Sequence, residues 1–351
     1  MKNNKRYVVY AVVFLILVVL VYLQFRTWQN FDWARFRQTR PQKWNHVLHG
    51  VALIYLAYIV RAVRWKIFLR PIRPQASSTS LIAPTIIGFT GLALLGRPGE
   101  LIRPYLIARR QNLTFSSQLA VWAVERIFDL GAFTILLVGA IFLAAGPRSL
   151  PFYDRFREGG FLLIALVVAI SLGAVAIHWK GGFIADWIEG RFSHLAANLG
   201  HKIATRVREF RSGLNTIHSP LSLTALVALS LLMWFMIIMA YQEVAHSYGV
   251  AILDIHRSQV LVLMGASMIG SMVQLPGIGG GSQLATIATL QHVFDVPPEL
   301  AASCGIMLWL VTFVAVVPVG LLLAHHERLS LRKLSEETAE ADEVATVEEV
   351  S

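Results

Sequence analysis

Residues 221–245 read LSLTALVALSLLMWFMIIMAYQEVA, 25 residues that carry one charged side chain, Glu243. Few structures can accommodate so long an apolar stretch. A helix of about 20 such residues crosses the roughly 30 Å hydrocarbon core of a bilayer and keeps every backbone hydrogen bond internal. Comparable runs occupy residues 7–23, 47–69, 115–145, 161–177, 260–273 and 300–324, and a shorter one covers 81–95. The balance of 56% hydrophobic to 15% charged residues, with a mean hydropathy of +0.59, agrees with this pattern. The expected fold is therefore all-α: a polytopic membrane helix bundle of about six to eight spans. The first run is preceded by Lys2, Lys5 and Arg6 but lacks a small-residue cleavage site, so it is read as an uncleaved helix.

Two of the runs are interrupted in a related way. LLGRPGELIRPYLIARR (94–110) and VQLPGIGGGSQLATIATL (273–290) each follow a short apolar segment, contain Pro-Gly and resume as an apolar run. Proline withdraws an amide donor and glycine loosens the backbone, so both stretches should break a helix. At membrane depth the freed backbone groups must be met by protein or by water. A pair of such interruptions in corresponding parts of two halves is the sequence pointer to a transporter's substrate site, with repeats as the usual cause. Both are expected to be re-entrant or broken helical segments.

Charge falls where lipid alone would not tolerate it. Glu100, Arg103, Glu125, Arg126 and Asp129 lie inside or beside apolar segments, where an ion must be paired or hydrated. Glu125 and Asp129 are four apart and share a helix face, with Arg97, Arg103 and Arg126 as the expected counter-ions. Arg61, Arg64, Lys66, Arg70 and Arg73 instead read as a cytoplasmic anchor of snorkelling side chains at the end of the run 47–69.

The formal net charge of +10 conceals an asymmetry, because seven of the 21 acidic residues lie in the last 16 positions and residues 1–335 carry +17. Such an excess suits cytoplasmic loops facing anionic headgroups and is poor evidence for nucleic acid. The chain divides into a membrane domain over 1–330, with an amphipathic cytoplasmic segment at about 180–219, and an acidic tail over 331–351 that is expected to be disordered. This arrangement puts both termini in the cytoplasm and the protein in the plasma (inner) membrane. The one cysteine, Cys304, excludes a disulfide framework and is expected to pack as a small residue in the last membrane helix. The 11 histidines form no His-Glu-x-x-His arrangement, and neither a metal nor another cofactor is expected.

RAVRWKIFL, GRPGELIRPYLIARR, ERIFD and LPGIGGGSQLA, in that order, resemble the flippase-like transmembrane region of the lysylphosphatidylglycerol synthase family over roughly residues 5–330. The resemblance implies a region that moves a phospholipid between leaflets. It directs attention to Gly96, Gly99, Glu100 and Arg103, then Glu125, Arg126 and Asp129, then Pro276, Gly277 and Gly280. This chain has Gln283 where the family's last motif often ends in glutamate, which argues against a cationic aminoacyl-lipid substrate. Only 27 residues follow Ala324, so no aminoacyltransferase domain is expected.

The leading expectation is a lipid translocator and not an enzyme. Arg97, Arg103 and Arg126 would meet a phosphate-bearing phospholipid or polyprenyl-phosphate lipid, held in place by Glu100, Glu125 and Asp129. No Walker A sequence is present. The alternatives are a membrane-embedded transferase acting on a polyprenyl-phosphate lipid, with Glu100, Glu125 and Asp129 gathering magnesium, and a scaffold or regulatory subunit.

Overall fold

The computed structural model describes residues 31–143, parts of 158–172, 219–271, 274–275 and 279–327. The expected span 7–23, the acidic tail 331–351, and the amphipathic segment 180–219 except for Ser219 lie outside the described residues, as do eight of the 17 residues of the run 161–177.

The described chain is helical almost throughout. A short α1 (Trp33–Gln38) is followed by α2 (Trp44–Leu69), α3 (Ser78–Leu95), a 3-10 turn (Arg97–Leu101), α4 (Ile102–Gln111) and α5 (Phe115–Leu143). After the gap come α6 (Pro220–His246), a 3-10 turn (Ala251–Leu253), α7 (Arg257–Gly270), α8 (Gly281–His292), α9 (Pro298–Trp309), a π turn (Leu310–Val314) and α10 (Val316–His326). Among the described residues four helices are long and apolar enough to cross a membrane: α2, α3, α6 and the run Pro298–His326. Trp33 and Trp44 are exposed, and Cys304 is buried in α9.

Local chemistry starts these helices. Ser77 and Ser219 accept from the amides of Ser80 (3.1 Å) and Ser222 (3.2 Å), capping α3 and α6, and Pro220 occupies the first turn of α6 where its missing amide is not needed. Asn112 closes α4 in the left-handed conformation, with φ of 53°.

Both interrupted stretches fold as hairpins. The first runs from α3 through the 3-10 turn into α4, and the second from α7 through a two-residue antiparallel bridge (Gln274–Leu275 with Gly279–Gly280) into α8. Of the run 260–273, expected as a plain span, residues 260–271 instead belong to the second hairpin. At 14 residues, or about 21 Å, α7 is too short for the hydrocarbon core. A glycine with positive φ precedes the 3-10 turn of the first hairpin, Gly96 (73°), and the second leg of the other, Gly280 (104°).

The packing maps onto itself when the two halves are exchanged. α2 lies along α6; α2 and α6 each meet the first leg of their own hairpin. α4 packs on α5 as α8 packs on α9, and α3 meets α10 as α7 meets α5. A repeated unit of long helix, broken hairpin and long helix accounts for this. The last long helix of the second copy is interrupted by the π turn, where carbonyls are met by tyrosines: Tyr58 donates to Thr312 O (3.3 Å), and Tyr55 to Ala315 O (2.7 Å).

The hairpins close on backbone. A methyl at Gly99 would overlap the Gly91 carbonyl, and one at Gly270 would overlap that of Gly281. Gly99→Ala is therefore expected to cost about 1–3 kcal/mol by prising the 3-10 turn from α3. Gly139→Ala, whose added methyl meets nothing within 4 Å, should leave the protein at least as stable. Thermal unfolding of the two detergent-solubilised variants separates these outcomes.

Candidate functional site

Four helices converge on a buried cluster of ions. α2 contributes Arg61 and Arg64, one turn apart on one face; α4 contributes Arg103; and α5 contributes Glu125, Arg126 and Asp129. α6 adds Ser230, whose hydroxyl accepts from Arg64 Nη1 at 2.7 Å and donates to Leu226 O.

Glu125 is the centre. Fully buried, it meets Arg64 at 2.6 Å, Arg126 at 3.3 Å, Arg61 at 3.4 Å and Arg103 in its closest contact. Asp129, one turn on, meets Arg64 at 2.7 Å, Arg126 at 3.0 Å and Arg61 at 3.1 Å. Isolated ions here would cost several kcal/mol each, and this mutual pairing offsets that penalty. The pairing is incomplete in charge, since four guanidinium groups face two carboxylates and leave an excess of two positive charges. In polar satisfaction it is also incomplete: Arg64 Nε and Arg126 Nε are buried without a hydrogen-bond partner.

Aromatic faces complete the shell. The Arg103 guanidinium lies 4.5 Å from the Trp65 ring and 5.3 Å from Phe89, and Arg61 lies 5.0 Å from Phe89. Trp65 is itself fixed, donating from Nε1 to Gln118 Oε1 at 3.1 Å within an apolar layer that includes Phe68, Leu81, Ile107 and Val121. On the side of Arg126, a small cavity is lined by Gly88, Phe89, Leu92, Glu100, Arg103, Trp122 and Arg126. The Arg126 side chain is 40% exposed, so this edge of the cluster is the one open to a ligand.

The expected residues divide into three groups. Arg103, Glu125, Arg126 and Asp129 come together in the cluster, and Glu100 lines its cavity. Arg97 is elsewhere: half-exposed, it pairs with Glu100 at 3.6 Å and donates from Nη2 to Ser271 O at 2.9 Å, joining the two hairpin tips. Gly99 packs the first tip. Gly280 and Gln283 lie at the start of α8 on the second hairpin, and Pro276 and Gly277 are outside the described residues.

Arg61 and Arg64 do not snorkel. They are 7% and 0% exposed and supply half the guanidinium charge of the cluster. Their three-residue spacing is visible in the sequence. Their depth is not, because it depends on α2 continuing to Leu69, beyond the first basic residues.

The family described as the lysylphosphatidylglycerol synthase TM region matches residues 8–320. The chain is similar to a UPF0104 membrane protein of Methanothermobacter thermautotrophicus, with 25% identity over 279 residues that cover 76% of this chain and 79% of the relative. It is also similar to a protein named Glycosyltransferase AglD in Haloferax volcanii, with 24% identity over 289 residues that cover 74% of this chain but 45% of that relative. No solved structure matches.

Proposed function

We propose that this chain, a multi-pass membrane protein that belongs to the lysylphosphatidylglycerol synthase TM region family, moves a phosphate-bearing lipid between leaflets. The observation that carries the reading is the excess of buried guanidinium over carboxylate beside a break in the helices. A phosphate would supply the missing negative charge, and guanidinium is the cation whose planar fork fits it. Arg126, at the cavity edge, and Arg103, behind it, are the proposed phosphate ligands. Glu125 and Asp129 orient them, and Glu100 accepts from a headgroup hydroxyl or amine.

The cavity is small, so admitting a headgroup requires the α3–α4 hairpin to move away from α5. The second hairpin, with Pro276, Gly277, Gly280 and Gln283, is the matching gate on the other half, and Arg97 ties the two tips together. The location is proposed to be the plasma membrane, with both termini cytoplasmic.

The relative named a glycosyltransferase favours a second reading, a transferase acting on a polyprenyl-phosphate lipid. The match covers less than half of that relative, and the cluster carboxylates are engaged by arginines, which makes them poor candidates to gather magnesium. The test uses purified protein in liposomes that hold fluorescent phosphatidylglycerol or a fluorescent polyprenyl phosphate. On addition of an impermeant quencher, the inner-leaflet probe is expected to become quenchable in proteoliposomes and not in empty ones. The rate should be unaffected by EDTA and the recovered lipid chemically unchanged. A magnesium-dependent, chemically altered lipid would overturn the translocator in favour of the transferase.

A further inference from the structure

About 20 Å along α2 from the arginines, a second group of titratable side chains joins the two halves. His46 and His49 occupy one face of the first turns of α2, and Glu243 faces them from the last turn of α6. His46 Nδ1 lies 2.7 Å from Glu243 Oε2, His49 Nδ1 lies 3.5 Å from the same oxygen, and one ligand atom from each residue falls within 4.8 Å of the others.

We infer that His46, His49 and Glu243 form a binding site for a first-row divalent cation, with zinc the ion best matched. Two imidazoles and one carboxylate are the donor set of a three-ligand zinc site, whereas calcium and magnesium call for oxygen donors throughout. Ligand atoms about 2.0–2.2 Å from a tetrahedral zinc lie roughly 3.3–3.6 Å apart, so the 2.7 Å contact of His46 with Glu243 has to open slightly, and the widest separation, within 4.8 Å, needs a contraction. His49, whose side chain is 64% exposed, has the freedom to provide it.

The backbone beneath the site is fixed. The amides of Gln42 and Lys43 both donate to Ser247 O, at 2.8 and 2.9 Å, fastening the start of α2 to the end of α6. A cavity bordered by His46, His246, Gly249 and Asp254 leaves room for a fourth ligand, water or an incoming molecule, while the exposed Lys43 on its rim can turn to solvent. His246 is already engaged by Asp254 at 2.8 Å and is not part of the set. Because α2 and α6 belong to different copies of the repeat, the bound ion would bridge the halves. The site is independent of the arginine cluster and of the proposed lipid movement.

The test uses full-length protein in detergent micelles, made without a polyhistidine tag, stripped by chelation and titrated with cobalt(II). One equivalent is expected to bind with visible d–d absorption that zinc displaces. His49→Ala and Glu243→Gln should each weaken binding by at least about tenfold, the lower range for losing even an outer-shell partner of a metal site. His246→Ala should leave it unchanged. The exposure of His49 keeps its variant folded, and zinc should raise the thermal midpoint of wild type and not of His49→Ala. Absence of cobalt uptake by wild type in the micromolar range, or uptake undiminished in His49→Ala and Glu243→Gln, would overturn the site. Equal loss in His246→Ala would overturn the assignment of its ligands.

Discussion

Glu125→Gln is expected to destabilise the protein by about 3–5 kcal/mol, the range for removing one partner from a buried ion pair. The amide keeps the shape and loses the charge, so four guanidinium groups remain with one carboxylate, Asp129, which already serves three of them. Arg103, for which Glu125 is the carboxylate partner, would keep its charge buried against Trp65 and Phe89. Thermal unfolding in detergent, followed by tryptophan fluorescence, reads the loss as a lowered midpoint. Adding Arg103→Gln to Glu125→Gln should recover part of it, since the second change removes one of the stranded charges and the two sites are in contact. An unchanged midpoint in the single variant would mean that a bound anion or water, and not Glu125, neutralises the arginines.

Arg103→Ala acts in the opposite sense on the same cluster. It removes one of the two excess positive charges and leaves Glu125 with three arginines, so the fold should survive with a moderate loss of packing against Trp65. Lipid movement is expected to fall by roughly 10- to 100-fold, the equivalent of about 1.5–3 kcal/mol for a lost hydrogen bond to a charged group. Arg103→Lys should recover little, because an ammonium keeps the charge without the planar fork or the stacking on Trp65. The quenching assay in liposomes measures both variants, with the thermal midpoint as the check on folding. Wild-type rates in folded Arg103→Ala would remove this residue from the lipid path.

The membrane class was legible because it rests on run length alone: residues 221–245 became α6 with bounds shifted by one residue at either end. The helix breaks were legible for a similar reason, since proline and glycine act on the backbone wherever they fall. What the breaks produce was less so. Residues 260–273 are as apolar as a span, and only the backbone approach of Gly270 to Gly281 shows that this run folds back as a hairpin. Glu125 and Asp129 were legible as a pair by their four-residue spacing, but their partnership with Arg61 and Arg64 is tertiary. A basic residue near the end of an apolar run looks the same whether it reaches for lipid headgroups or turns inward to a carboxylate 61 positions away. Arg97, grouped by proximity in sequence with Arg103, pairs with Glu100 but also donates to the other hairpin, a contact that no local spacing announces.

The depth of the arginine cluster has a consequence for ionic strength. Basic side chains on membrane-facing loops attract anionic headgroups through water, and mobile counter-ions weaken that attraction beyond a distance of about 8 Å at physiological salt. Arg61, Arg64 and Arg103 are closed off from those ions by Trp65, Phe89 and the surrounding helices. Their field is set by protein dipoles and not by the surrounding fluid, so an anion that reaches them is held almost equally well in dilute and concentrated salt. On the proposed function, the protein would separate two uses of positive charge: a surface layer whose grip follows the salinity of the surroundings, and an inner one that does not respond to it.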